Sequence, residues 1–365
     1  MDVLCPPLEE TGNPVQCYPV ENYPLGVTAS WEPTQEGSGE SSPDNIRPIK
    51  GRNSVTVKVT GANVLEGTAP GGQVSQFGVT YTVNENGVLV TGTATSNSLF
   101  YLHKDKTPRL THGTYYLTTK GLSASAVLNF FYVGKITSDM QNKQVMLTKD
   151  VEYSLVLQVQ KGVTVNTTVQ VSLTRNTITT YAPYTGQTTA LTLPRTIYGG
   201  TVDAVTGEGL GMWKLLTLDG TEQWNAVGSG DTLYFQSTSI SIGTRVLSRG
   251  DYCTTFPIAS VSSSNTVQGV SGWKTSLYLR WSTFADVAAL KSYLAAQYAA
   301  GTPVQVCYKL TTPTPFTATG AQPIPALPGV NTLLTDADSV TVTGRADPIK
   351  RITDLEDAVA SMTNT

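Results

Sequence analysis

Alternation at period two is the feature that most constrains what this chain can become. In "NSVTVKV" the side chains of Val55, Val57 and Val59 fall on one face with polar residues between them, the pattern of a strand with one side buried. The same writing returns in "VTYTV" (79–83), "GVLVTGTA" (87–94), "LFYLH" (99–103), "GTYYLTT" (113–119), "AVLNFFYV" (126–133), "YSLVLQV" (153–159) and "TVQVSLT" (168–174). It returns again in "WKLLTL" (213–218), "DTLYFQS" (231–237), "SLYLRW" (276–281), "VQVCYKL" (304–310) and "SVTVTG" (339–344). Turn residues separate these runs, so the expectation is a mainly β protein built of sandwiches. With 365 residues the chain exceeds one small domain. Only 14% of it is charged, against roughly 25% in an average soluble chain, and Thr, Ser, Val and Gly take the difference.

Two segments break the period. After Thr283 and Asp286, a capping-box arrangement, Val287, Leu290, Leu294 and Tyr298 share one face of an amphipathic helix that Gly301 stops. The tail begins with Asp347 as N-cap and Pro348 at the first helical position. Ile352, Leu355, Val359 and Met362 then occupy a and d positions, which points to a short C-terminal helix, 348–365, that either self-associates or packs back on its own chain. At the other end Pro6, Pro7, Pro14, Pro19 and Pro24 argue for an extended arm over 1–30. That end is acidic, with Asp2, Glu9, Glu10, Glu21, Glu32, Glu36, Glu40 and Asp44 against Arg47 and Lys50. The Ser/Gly/Pro stretch "EPTQEGSGESSPDNIRPIKG" (32–51) reads either as a linker or as an ordered loop that opens a domain.

The chemistry classes narrow quickly. No Lys/Arg cluster with interleaved aromatics exists, so the footprint of nucleic-acid binding is missing. The first residues carry no basic segment followed by an apolar run, and no apolar stretch reaches membrane-spanning length, so neither export nor membrane insertion is expected. Cys5, Cys17, Cys253 and Cys307 lack metal-site spacing and read as free thiols, with a Cys5–Cys17 bridge reserved for an oxidising compartment; no metal or cofactor is expected. Glycoside hydrolysis needs two facing carboxylates. The candidates Glu66, Glu85, Asp105, Asp139, Asp150 and Glu152 sit mostly beside turns, where solvation explains them, and "GGTVDAVTGEG" leads into a strand rather than a phosphate-binding helix. The chain is therefore not expected to be an enzyme. Sugar binding asks less, an aromatic face with polar neighbours, and Tyr101, His103, Tyr115, Tyr116 and Tyr132 are the candidates, with Tyr115 and Tyr116 on opposite faces. Trp213, Trp224, Trp273 and Trp281 are expected to fill the core of the second β domain.

Four segments, "VENYPLGVTASWEPTQEGSGESSPDNIRPIKG" (20–51), "LPRTIYGGTVDAVTGEG" (193–209), "FADVAALKSYLAAQYAAGTPVQVCYKLTTPTPF" (284–316) and "ALPGVNTLLTDADSVTVTGRADP" (326–348), resemble stretches that recur in this order in tail and baseplate structural proteins of siphophages and prophages of gut bacteria. The likeness spans 20–60 and 191–348 and lapses over 61–180. It implies two β-sandwich domains, one inserted into the other: a split sandwich from 31–60 plus 181–347, and 61–180 as an insert similar to the jelly-roll modules that often bind carbohydrate. It further implies a virion protein of the tail tip or baseplate, assembled in the host cytoplasm, whose partners are other tail subunits, a host-surface glycan and copies of itself, trimers by tail-fibre logic. The alternatives are a bacterial cell-surface adhesin or carbohydrate-binding protein and, more remotely, a polysaccharide depolymerase.

Overall fold

The computed structural model describes residues 5–349 except 22, 67–71, 85–86, 104–108, 111–112, 123–125, 133–134, 138–142, 176–180, 182–183, 238, 241–246, 248–249, 263–265 and 274–275, together with 352 and 356. The protein is mainly β, with several antiparallel sheets and one helix of length among the described residues.

The valines at 55, 57 and 59 face a core that draws on both ends of the chain. Their strand, Arg52–Thr60, lies between Gly186–Ile197 and Asn331–Thr335, with Val15–Cys17 at the edge of the same sheet. A second sheet runs Pro7–Gly12, Ser339–Arg345, Pro24–Trp31, Gly200–Asp203, Glu208–Leu218, Val304–Thr317 and Tyr252–Cys253. Between the two sheets Val55, Val57, Val59, Leu191 and Leu333 meet Leu25, Val27, Ala29, Val202, Val340 and Val342 in one buried cluster. The proline-rich arm is thus corrected: Pro7–Gly12 pairs with Ser339–Arg345 and Val15–Cys17 with Asn331–Thr335, and Leu8, Val15 and Cys17 are buried. The prolines are tolerated for a positional reason. Pro7 and Pro24 open their strands, Pro14 lies in the turn between the first two, and those two strands are at sheet edges, where a missing N–H costs no ladder bond.

The 32–51 stretch is an ordered loop. Its ends pair as Thr34–Gln35 with Ile49–Lys50, and inside it Arg47 donates to the carbonyls of Glu36 (2.9 Å), Gly37 (3.1 Å) and Gly39 (2.5 Å). Asn45 closes the tip through the carbonyls of Ser38 and Glu40, and the Arg47 N–H donates to Thr254 O (2.7 Å), tying the loop to the far end of the second sheet. Gly37 and Gly39 have φ of 75° and 80°, which glycine adopts without a Cβ clash.

Between the strands Arg52–Thr60 and Gly186–Ile197, the chain leaves and returns at one place. The Gly61 N–H donates to Thr185 O (2.9 Å), Asn63 bridges to both Thr174 and Tyr184, and its side chain accepts from the N–H groups of Leu65 and Leu173. Lys58 and Glu66 form an ion pair beside this junction. The intervening residues form a core of their own, whose buried members all lie between Leu65 and Leu173. All seven expected segments contain strands, joined by Gln73–Gln76, Arg109–Leu110, Lys135–Thr137 and Lys143–Leu147. Lys143–Leu147, Gly113–Lys120, Thr164–Thr174, Gly87–Thr93, Val79–Asn84 and Gln73–Gln76 make one sheet; Ser98–Tyr101, Val151–Val159, Ala126–Tyr132 and Lys135–Thr137 make the other.

Only part of the C-terminal strand series shares the core of Val55, Val57 and Val59, through Leu333, Val340 and Val342, whereas the expectation of one split sandwich puts all of it there. Leu218, Phe235, Phe256, Leu279, Val304 and Val306 gather instead around Leu290 and Leu294 of the helix Val287–Ala299. The long strand Val304–Thr317 reaches both cores, with Val304 and Val306 in this one and Phe316 packed against the first, and its pairing with Glu208–Leu218 has a register shift between Gly211 and Trp213. The helix start also differs in detail: Asp286 is itself the N-cap, accepting from the Ala289 N–H (2.8 Å), and Tyr298 is exposed rather than on the buried face. Gly301, with φ 77°, follows the last turn. Among the described residues no helix is long and apolar enough to cross a membrane.

The thiols are free. Cys5 is exposed and Cys17, Cys253 and Cys307 are buried. Burial pushes the Cys17 and Cys307 thiols up to about 12 and Cys253 to about 11. Alkylation of the native chain at pH 8 should therefore modify one thiol, with all four of the chain's cysteines reacting only in denaturant. The sign of the pH effect follows. In the unfolded chain these thiols ionise near their ordinary values while the folded state holds the protons, so their contribution is fully present below about pH 8.5 and falls as pH rises toward 11–12. Thermal melts between pH 8 and 10.5 check it.

Candidate functional site

The aromatic surface expected on the 61–180 unit is only partly assembled. Ser98–Tyr101 ends its sheet, and alternation sends Phe100 inward, where it stacks on Tyr81 at 4.9 Å, while Leu99 and Tyr101 face out at 40% and 52% exposure. The Tyr101 ring meets His103 edge-on at 5.7 Å, but His103 is buried behind it and leans on Tyr153 at 6.0 Å, so Tyr101 alone of the pair presents a ring to solvent. Tyr115 is corrected from cleft to core. It is 2% exposed, its hydroxyl accepts from Arg175 Nη2 (2.7 Å), and the Arg175 guanidinium lies 4.7 Å from its ring centre. Tyr116, half-buried, points to the opposite face, as period two requires. Tyr132 pairs through its backbone with Tyr153 and Lys135, and its side chain lies outside the described residues.

Two exposed apolar residues, Leu99 and Phe77, stand on or near this strand. The Leu99 N–H donates to Gln76 Oε1 (3.2 Å), and Ser98 Oγ donates to Gln76 O (3.0 Å), which sets the tip of the Gln73–Gln76/Val79–Asn84 hairpin beside Ser98–Tyr101. At that tip Phe77 has φ 49° and is 49% exposed. A phenylalanine in the left-handed region costs on the order of 1–3 kcal/mol, and an exposed ring gains nothing from burial to offset it. The local signal is the turn "QFGV", where a large apolar residue stands in a position that favours Asn or Gly.

Of the carboxylates weighed for hydrolysis, Glu66 is paired with Lys58, and Asp150 and Glu152 are exposed. Glu85, Asp105 and Asp139 lie outside the described residues. Among the tail positions Ile352 is helical and 55% exposed, while Leu355, Val359 and Met362 lie outside the described residues.

A second site has no counterpart in the sequence reading. Arg280 ends the strand Ser276–Arg280 and is 1% exposed. Its Nε donates to Leu233 O (3.0 Å), its Nη2 to Thr232 O (2.5 Å) and Ser262 O (2.8 Å), and its guanidinium lies 5.5 Å from the Tyr234 ring centre. It forms the wall of a cavity of about 370 Å³ shared with Asp231, Thr266, Gln268, Trp281 and Ser282. Trp281 is half-buried at the rim of the helix-side core, 5.3 Å from Phe256, while Trp213 and Trp224 are buried as expected and the Trp273 side chain lies outside the described residues. The one local sign of this site was an arginine inside the apolar run "SLYLRW".

Comparison with protein-family models, with curated proteins and with solved structures finds no match to this chain.

Proposed function

We propose that this chain is a non-enzymatic structural protein of a phage tail tip or baseplate that contributes to host-surface attachment. One observation carries the reading. The four ordered segments that resemble tail and baseplate proteins, far apart in sequence, contribute Ser339–Arg345, Pro24–Trp31, Gly200–Asp203 and Val304–Thr317 to a single sheet, the last of them joined through Glu208–Leu218, which only begins within the second segment. Segments that share one sheet form one mechanical unit, so a likeness confined to them is a likeness of a folded body rather than of scattered words. The 61–180 unit, where the likeness lapses, has its own core and leaves and rejoins at Asn63 and Tyr184. We read it as an inserted, jelly-roll-like sandwich carrying the adhesive surface, and the body around it as the part that docks on other tail subunits. Because residues 7–17 are strands, docking falls to that body and to the exposed Ile349 and Ile352 at the start of the tail helix, the element we assign to self-association, as a trimer.

Mass spectrometry and cryo-electron microscopy of purified particles test the assignment: the chain is expected at the tail tip, and its absence from virions ends the idea. For the adhesive surface, Leu99, Phe77 and Tyr101 are the contacts expected for a host glycan. Tyr101→Ala should weaken binding on a glycan array by roughly tenfold, the effect of about 1.4 kcal/mol, with an unchanged melting temperature because the ring is exposed. Equal binding by the variant removes Tyr101 from the site.

A further inference from the structure

We infer that the cavity beside Arg280 is a binding site for a small, uncharged, polyhydroxylated ligand, of about one sugar ring, and that it is independent of the Tyr101 surface. The size is at the lower end of ligand pockets, which run from about 300 to 1,000 Å³, and the cavity measures about 370 Å³.

The lining selects the chemistry. Asp231 offers a carboxylate that only accepts hydrogen bonds, and Thr266 and Ser282 offer hydroxyls, all three on exposed residues at the mouth. Deeper in, Gln268 Oε1 is shielded from solvent and meets no hydrogen-bond donor among the described residues, an arrangement that a folded chain rarely tolerates without a guest or a trapped water. Two acceptors of the lining, the Asp231 carboxylate and Gln268 Oε1, can thus take protons from a ligand rich in O–H groups, whose oxygens in turn accept from the Thr266 and Ser282 hydroxyls. The charges disfavour a ligand that carries a single net sign. The guanidinium of Arg280 in the wall opposes a cation, and the carboxylate of Asp231 in the same wall opposes an anion. Arg280 cannot swing away to change this, since the carbonyls of Thr232, Leu233 and Ser262 hold it. Trp281 adds an aromatic surface of the kind that packs on the C–H face of a sugar ring.

Rigidity of the wall favours recognition over accident. Arg280 ties Thr232 and Ser262 to its own strand, and its backbone pairs with Gly269, next to Gln268, so a ligand meets a site formed in advance rather than one that must be ordered on binding.

Saturation-transfer NMR with the full chain tests the proposal, using glucose, galactose and N-acetylglucosamine at about 10 mM, above the roughly 1 mM dissociation constant of a weak site, with glucuronate and glucosamine as anionic and cationic controls. At least one neutral sugar should show transfer and neither charged control should exceed it. Asp231→Ala and Gln268→Leu should each lower the affinity roughly tenfold, while Tyr101→Ala leaves it unchanged. Asp231 is exposed, so that variant keeps its fold, and a melting temperature equal to the parent's certifies both. No transfer from any neutral sugar overturns the proposal, as do stronger transfer from a charged control, indifference to both cavity variants, or loss on Tyr101→Ala.

Discussion

Val57→Asp should abolish the fold of the two sheets that join the N-terminal strands to the C-terminal ones. Val57 is 1% exposed and faces an apolar cluster, so the new charge is buried among hydrophobic side chains. An uncompensated buried charge costs about 3–5 kcal/mol, a large share of the 5–15 kcal/mol that separates a native domain from its unfolded state. Loss of the cooperative melt of this part, or an insoluble product, is the expected result. Ser54→Asp, three residues earlier on the same strand but exposed, is the control and should shift stability by no more than about 0.5 kcal/mol. Because the core of residues 65–173 is closed on itself, limited proteolysis of the Val57→Asp chain should release that unit as a resistant fragment. A parent-like melt of the variant would show that residues near 57 do not hold the two ends together.

Removal of residues 1–18 should be nearly as damaging, which is the opposite of what a free arm predicts. Leu8, Val15 and Cys17 are buried, and burying Leu- or Val-sized side chains contributes about 1.5–3 kcal/mol each. The deletion also strips Ser339–Arg345 and Asn331–Thr335 of their edge partners and leaves two open strand edges, an invitation to aggregation. The shortened chain should express poorly or melt at least about 10 °C lower, a shift in keeping with a few kcal/mol in a body of this size. If the truncated N-terminus melts with the parent, the first two strands contribute nothing to the fold.

How far the sequence could be read depended on the kind of signal. Val55, Val57 and Val59, and the runs between 79 and 174, announced strands because alternation at period two is local. The helix announced itself through Leu290 and Leu294. The same alternation is present in "PLGVTASW", where Leu25, Val27, Ala29 and Trp31 all face inward, yet five prolines nearby outweighed it. Their harmlessness depends on being at strand starts and sheet edges, and an edge exists only once the sheet does. Tyr115 and Tyr101 illustrate the same limit for the candidate site. Both are aromatic, both stand in strands, and only the position of a second sheet sends one into the core and leaves the other in water.

By itself, then, the order of amino acids determined the strands whose alternation is free of prolines, which face of each is apolar, and where one helix lies and stops, since these follow from side chains a few positions apart. Tertiary structure alone decided that Pro24–Trp31 lies between residues 339–345 and 200–203, that the C-terminal strands divide between two cores, and that Asp231, Gln268 and Arg280 share a cavity. Sheet hydrogen bonds are the same for every residue but proline, so a strand carries its faces in its own sequence but not the identity of its neighbour.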